Sequence, residues 1–156
     1  MRKRIIGQEE SAESQESHNW LNLEVLAQVE VTSEAEDQPI EAALGVRAGG
    51  GWRAATTGPQ TIRLIFDQPQ QIRRIRLVFD EWVQSRSQEF VLRWTDGGAK
   101  SYREIVRQQY YFSPSGATHE VEEYEVELHA AKLLELEIIP NMGGGTVASL
   151  TRLQLA

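Results

Sequence analysis

The sequence predicts an all-β fold built as an antiparallel sandwich or barrel, on three observations. First, the stretch Thr61 to Asp80 alternates twice. Ile62, Leu64 and Phe66 interleave with Arg63 and Ile65, and Ile75, Leu77 and Phe79 interleave with Arg74 and Arg76. Period-two alternation of β-branched and aromatic residues marks strands with one buried face. Second, about eight such short segments follow one another between turn signals. Third, no segment sustains a 3.6-residue period.

The chain of 156 residues fits one domain with a proper two-layer core. Residues Gly7 to Asn19 are Glu, Ser and Gln with almost nothing to bury, so residues 1–19 are expected to form a flexible tail and 20–156 the single folded domain. Trp20, Leu21, Leu23, Val25 and Leu26 restore hydrophobicity and suit a short turn on the domain edge. Ala27, Val29 and Val31 then alternate with Gln28, Glu30 and Thr32 as a first strand. The polar run Ser33 to Ile40, which holds Pro39, is a loop, and Glu41-Ala42-Ala43-Leu44 is one helical turn. Gly49-Gly50-Gly51 is a second loop that delivers Trp52.

Thr61–Phe66 and Gln71–Phe79 read as two strands. Asp67-Gln68-Pro69 separates them, since proline cannot donate to a ladder. Glu81 to Ser87 is a polar connection containing Trp82, and Phe90, Leu92 and Trp94 define the next strand. Asp96-Gly97-Gly98 is a tight-turn signal, Tyr102 begins the return strand, and Ser113-Pro114-Ser115-Gly116 breaks it. Tyr124–Leu128 and Leu134–Ile138 are two more strands, with glutamates on the opposite face, and Pro140 ends the second. Asn141 to Gly145 is a loop, and Leu153 and Leu155 lie in a final strand.

Charge and composition narrow the function. A net charge of -7 disfavours nucleic-acid and anionic-membrane partners, which need an excess of Lys and Arg. The absence of cysteine removes disulfides, thiolate metal sites and cysteine nucleophiles. The basic opening Arg2-Lys3-Arg4 precedes only Ile5 and Ile6, short of a signal peptide, so a cytoplasmic location is expected. His18, His119 and His129 show no metal or triad spacing, and no nucleophile–base pair can be named, so no enzyme is predicted. Glu123, Glu125 and Glu127 share one strand face, and Arg63, Arg74 and Arg76 are expected to make a similar polar face on the central strands. Rows of this kind suit cross-strand ion pairing on a solvated face rather than a paired catalytic site. The glycine triplets lack the Lys-Ser/Thr of a phosphate loop.

The order of these segments resembles the discoidin domain, or coagulation-factor type C domain, of the galactose-binding-like superfamily. Val29-Glu30-Val31-Thr32-Ser33 resembles its first strand and turn, and Gly51-Trp52-Arg53-Ala54 its tryptophan element. Thr61–Phe66 and Gln71–Phe79 resemble the next two strands. Phe90-Val91-Leu92-Arg93-Trp94-Thr95-Asp96-Gly97 resembles the hairpin. Leu134–Pro140 with Ala148–Leu155 resembles the close. The resemblance spans roughly residues 27–155 and implies an eight-stranded antiparallel jelly-roll β-sandwich. The Asp that can sit at a structural calcium site in that family is replaced here by Ala43-Leu44-Gly45, so no metal or other cofactor is expected.

The resemblance further implies a non-catalytic module that binds ligand through loops at one end of the sandwich. On this reading Glu81, Trp82, Gln84 and Arg86 in one loop, with Glu36 and Asp37 in the first loop, would contact a carbohydrate. An indole stacks on the apolar face of a sugar ring, while carboxylates, amides and guanidinium groups bind hydroxyls. Two uses stay open for Trp82, as a cap on the core or as the stacking platform. Two partner classes stay open as well, a glycan or an intracellular protein.

Overall fold

A computed structural model of the chain describes residues 20–45, 50–81, 86–97, 102–112, 118–140 and 147–156. The expected tail lies outside the described residues. Eight strands are present among them: β1 (Ala27–Val31), β2 (Trp52–Thr57), β3 (Gln60–Asp80), β4 (Arg86–Thr95), β5 (Arg103–Phe112), β6 (His119–Pro140), β7 (Val147–Leu150) and β8 (Arg152–Leu155). Two one-turn helices, α1 (Leu23–Leu26) and α2 (Glu41–Leu44), complete the described elements. None of these helices is long and apolar enough to cross a membrane.

Two expected strand pairs are each a single strand. Residues 61–66 and 71–79 run together in β3, and residues 124–128 and 134–138 run together in β6. The two long strands pair antiparallel from Gln60 opposite Ile138 to Asp80 opposite His119. Their register shifts between Ile65 and Arg74, around the Asp67-Gln68-Pro69 segment that looked like a loop. Unequal numbers of residues on paired strands kink and twist the ribbon. On β6 the same place holds Ala130 at φ 57°, a left-handed conformation uncommon for a residue with a Cβ. The ribbon therefore turns a corner without leaving the sheet.

The turn puts the two halves of the ribbon in opposite layers. One layer runs β5, β4, the second half of β6, the first half of β3, then β1. The other holds the first half of β6, the second half of β3 and β8. β2 and β7 form a separate antiparallel ribbon. The two layers face each other: Phe79 of β3 stacks on Phe90 of β4 at 5.4 Å and meets Tyr110 of β5 at 5.1 Å, although β3 pairs with neither strand there. Ile62, Leu64, Ile75, Leu77, Phe90 and Leu92 are all buried in one core. Trp52 and Trp94 join that core, as expected, at 1% and 9% exposure.

The outward faces carry charge in rows set by register. Glu30, Arg63, Glu135 and Arg93 lie side by side across β1, β3, β6 and β4. Glu135, 9% exposed, takes Arg63 Nε at 2.8 Å and an Arg93 guanidinium nitrogen at 3.0 Å. On the other layer Arg76 meets Glu123 at 3.2 Å. The expected cross-strand pairing is thus present. Arg63, however, pairs on its own layer with Glu30 and Glu135.

The open flank between β5 and the first half of β6 is closed by polar groups. Gln108 Nε2 donates to Glu122 at 2.8 Å, and the Tyr124 hydroxyl donates to Gln108 Oε1. Glu122 occupies a core-facing position opposite Leu77. An inward-pointing charge on an edge strand discourages pairing with another chain. Burial, then the nearby Glu120 charge, pushes the Glu122 carboxyl above its usual range. Burial, then the Glu122 charge, raises the Tyr124 hydroxyl as well.

Two outcomes follow from these pairings. Glu135→Gln removes the buried carboxylate shared by Arg63 and Arg93, leaving them only Glu30 and Glu137, and should cost about 1–3 kcal/mol in urea denaturation. Glu123→Gln removes an exposed pair and should cost about 1 kcal/mol or less. For Glu122 the folded pKa lies above the unfolded one, so the stability it contributes is complete below the unfolded pKa and is lost as pH rises through the folded pKa. The stability of wild type relative to Glu122→Gln should therefore fall as pH rises from 4.5 towards neutrality, read as the difference in denaturation midpoints.

Candidate functional site

Strand register determines which connections gather at one end. Val31 at the end of β1 lies opposite Ile62, Asp80 at the end of β3 opposite His119, and Gln88 of β4 opposite Pro140. The segments leaving Val31, Asp80, Phe112 and Pro140 all depart from this end. The corner at Asp67–Pro69 and the turn after Thr95 lie at the other end.

The first of these connections is fastened to β2. Ser33 accepts the Trp52 indole N–H on its carbonyl at 2.9 Å and the Ala55 N–H on its hydroxyl at 3.0 Å. Ala35 N–H donates to the Arg53 carbonyl at 2.7 Å, and Arg53 N–H returns a bond to Gln38 at 3.2 Å. Between them Glu36 and Asp37 form an exposed turn, closed by Gln38 N–H to the Ala35 carbonyl at 3.1 Å. Glu34 accepts the Ile40 N–H at 2.8 Å, which anchors the start of α2.

Beside this loop is an outward-facing cleft of about 250 Å³. Gln38, Arg53, Asp80, Ser149 and Thr151 supply its polar wall, with Gly50 and the edge of Trp52. Alternation explains the set: Trp52 and Ala54 point into the core, so Arg53 points out, opposite Ser149 in the β2–β7 ribbon. Asp80 is likewise on the outer face of β3, opposite His119, and its Oδ1 lies 2.5 Å from His119 Nδ1. Gln38 Nε2 reaches the Gly50 carbonyl at 3.4 Å. The cleft thus holds a guanidinium, a carboxylate, an amide and hydroxyls on strand ends and a pinned loop.

Of the residues expected to bind ligand, Glu36 and Asp37 form the turn that leads into Gln38. Glu81 follows Asp80 but is 1% exposed, with its N–H on the Thr118 carbonyl at 2.8 Å. Arg86 begins β4 opposite Phe112, and its side chain is outside the described part. Trp82 and Gln84 lie outside the described residues. Arg53, Asp80 and His119 were missed as a group because they are brought together by strand register and not by sequence spacing. The available signal was the outward phase of Arg74, Arg76 and Asp80 along one strand.

The same groups limit the chemistry. Among the described residues, no hydroxyl hydrogen-bonds His119, so the Asp80–His119 pair has no attached nucleophile. No group of three His, Asp or Glu among them could hold a metal ion.

Fold comparison places this architecture. The chain has the antiparallel β-sandwich fold of several solved carbohydrate-binding modules. It is similar to CBM32-3 from a family 31 glycoside hydrolase of Clostridium perfringens, with a TM-score of 0.63 and 16% identity over 89% of this chain and 95% of that one. It is also similar to the family 32 carbohydrate-binding module of C. perfringens NanJ, solved in complex with galactose (TM-score 0.61, 13% identity, 87% and 96% covered). A third likeness is to reduced XRCC1 bound to the DNA polymerase β catalytic domain (TM-score 0.59, 18% identity, 84% and 95% covered). No protein-family model matches the chain, and no curated protein sequence does.

Gly51 shows how tightly the cleft is built. It sits at φ +85°, and a Cβ there would lie 2.7 Å from both the Leu150 carbonyl oxygen and the Thr151 Cα. Both the backbone conformation and the space require glycine. Gly51→Ala is expected to destabilise the domain by about 1–3 kcal/mol in thermal or urea denaturation. It should also broaden or shift the backbone amide NMR signals of Leu150 and Thr151 well beyond those of distant β1.

Proposed function

We propose that the chain is a non-catalytic carbohydrate-binding module that takes a saccharide at the loop end of its sandwich. The observation that carries this is the cleft lined by Gln38, Arg53, Asp80, Ser149 and Thr151. Sugar hydroxyls both donate and accept, and this wall offers both kinds of partner on a pre-formed scaffold. Support comes from the fold neighbours described as carbohydrate-binding modules, one of them with galactose bound. Trp82 is two residues beyond Asp80 and is assigned the stacking role, with Gln84 and Arg86 beside it. Glu36 and Asp37 are assigned to the rim on the Gln38 side, and Glu81 to holding the base of the Trp82 loop.

A second reading has its own observation. Tyr111 is 60% exposed near the end of β5, the last strand of its layer. Support comes from the structural neighbour XRCC1, which is bound to a polymerase catalytic domain. A protein partner would use that edge and leave the cleft unaltered.

Titration of the whole chain with a glycan panel, followed by tryptophan fluorescence and calorimetry, separates the two. The carbohydrate reading expects saturable binding that Asp80→Ala and Trp82→Ala each weaken about tenfold or more, with Tyr111→Ala unchanged. Absence of binding to every glycan on the panel by a folded sample would discard it.

A further inference from the structure

We infer that the saccharide carries an anionic group, a uronic carboxylate or a sulfate ester, and that Arg53 holds it. The inference rests on the carbohydrate reading above and adds the ligand's charge. It begins from how the basic side chains are satisfied. Arg63, Arg93 and Arg107 each reach a glutamate at 2.6–3.0 Å, and Arg76 reaches one at 3.2 Å. Arg103 lies 5.5 Å over the Trp94 ring, and Arg152 donates to the Gly45 carbonyl. Arg53 differs: it is half-buried in the cleft wall, and its side chain makes no hydrogen bond or ion pair among the described residues. Arg73 also lacks such a partner among them, but it stands exposed, where water solvates its charge.

A charge withdrawn from water without a counter-charge is costly, and closing a ligand over Arg53 would withdraw it further. A neutral sugar offers the guanidinium only hydroxyl acceptors. A carboxylate or sulfate matches its planar fork with two parallel charge-assisted bonds. Asp80 in the same cleft does not forbid this. One of its oxygens is held by His119, and it forms no ion pair with Arg53. Both residues line the cleft and are not paired with each other, so an anion can sit at Arg53 while ring hydroxyls donate to Asp80. Gln38 and Thr151 supply polar groups along the same wall.

Calorimetry on the whole chain with galactose, galacturonate and galactose 6-sulfate tests the inference, since these sugars differ only at C6. At low salt at least one anionic sugar should bind about tenfold more tightly than galactose, and the preference should shrink as sodium chloride is added. The tighter of the two identifies carboxylate or sulfate as the group recognised. Arg53→Gln should abolish the preference, so that neither anionic sugar binds this variant more tightly than galactose does, and Arg53→Lys should keep part of it. Galactose binding as tightly as both anions, or a preference that survives Arg53→Gln, would overturn the inference and leave sugar binding standing. Failure of all three sugars and of the wider glycan panel, with an unchanged circular-dichroism spectrum, would overturn both.

Discussion

The antiparallel pairing of β3 with β6 is the contact on which the rest of the molecule depends. These strands have 21 and 22 residues, several times the usual length of a strand, and they stay paired through a corner. β1, β4 and β8 each take their register directly from this ribbon, and β5 takes its register from β4. Because side chains alternate with period two, a one-residue slip would turn Leu64, Leu77 and Leu136 to solvent and bring Arg63, Arg76 and Glu135 inward. Burial of the apolar set and pairing of the charged set therefore select the same register. The aromatic contacts between Phe79, Phe90 and Tyr110 then bind the two layers across the core.

The corner also decides which strand ends share one end of the sandwich. A ribbon that folds once sends the free ends of both its halves to the same side, along with the ends of β1 and β5. The connections from those ends need no length to reach one another. The Ser33–Gln38 loop is held to β2 by backbone bonds and by the Trp52 indole, so Gln38 and Arg53 are positioned by rigid neighbours. A cleft assembled this way loses little conformational entropy when a ligand enters.

Much of the layer structure was legible from alternation, because the core residues of each strand are large and branched. The strand boundaries were less so. Asp67-Gln68-Pro69 carries the residues of a loop, yet the ladder tolerates Pro69 because the register shifts there and the missing N–H falls where regular pairing is interrupted. β2 and β7 were obscured for another reason. Their inward residues include Ala54 and Ala148, which are small enough to be buried fully without showing a hydrophobic stripe. The cleft was hardest to read. Asp80 and His119 stand 39 positions apart, and Arg53 and Ser149 are opposed only through the β2–β7 ribbon. Glu36 and Asp37 lie in the turn that leads to the cleft residue Gln38, whereas Glu81 is buried beside a long-range backbone bond to Thr118, a pairing that no local pattern encodes.

Charge satisfaction separates the faces of the sandwich from its loop end. The row Glu30, Arg63, Glu135 and Arg93 is neutralised within itself, and Arg76 is shared between Glu123 and Gln154. A face whose charges are already paired presents little net field to a ligand and would have to break those bonds to contact one. The flank beside β6 is occupied in the same way by Gln108, Glu122 and Tyr124. At the cleft the arrangement differs: Asp80 keeps one oxygen beyond its contact with His119, and Arg53 lines the same cleft without an ion pair among the described residues. An acidic protein of net charge -7 still repels anions over long distances. Recognition of an anionic sugar by a single half-buried arginine must therefore come from short-range, desolvated hydrogen bonds, which favour a compact ligand over a densely charged polymer.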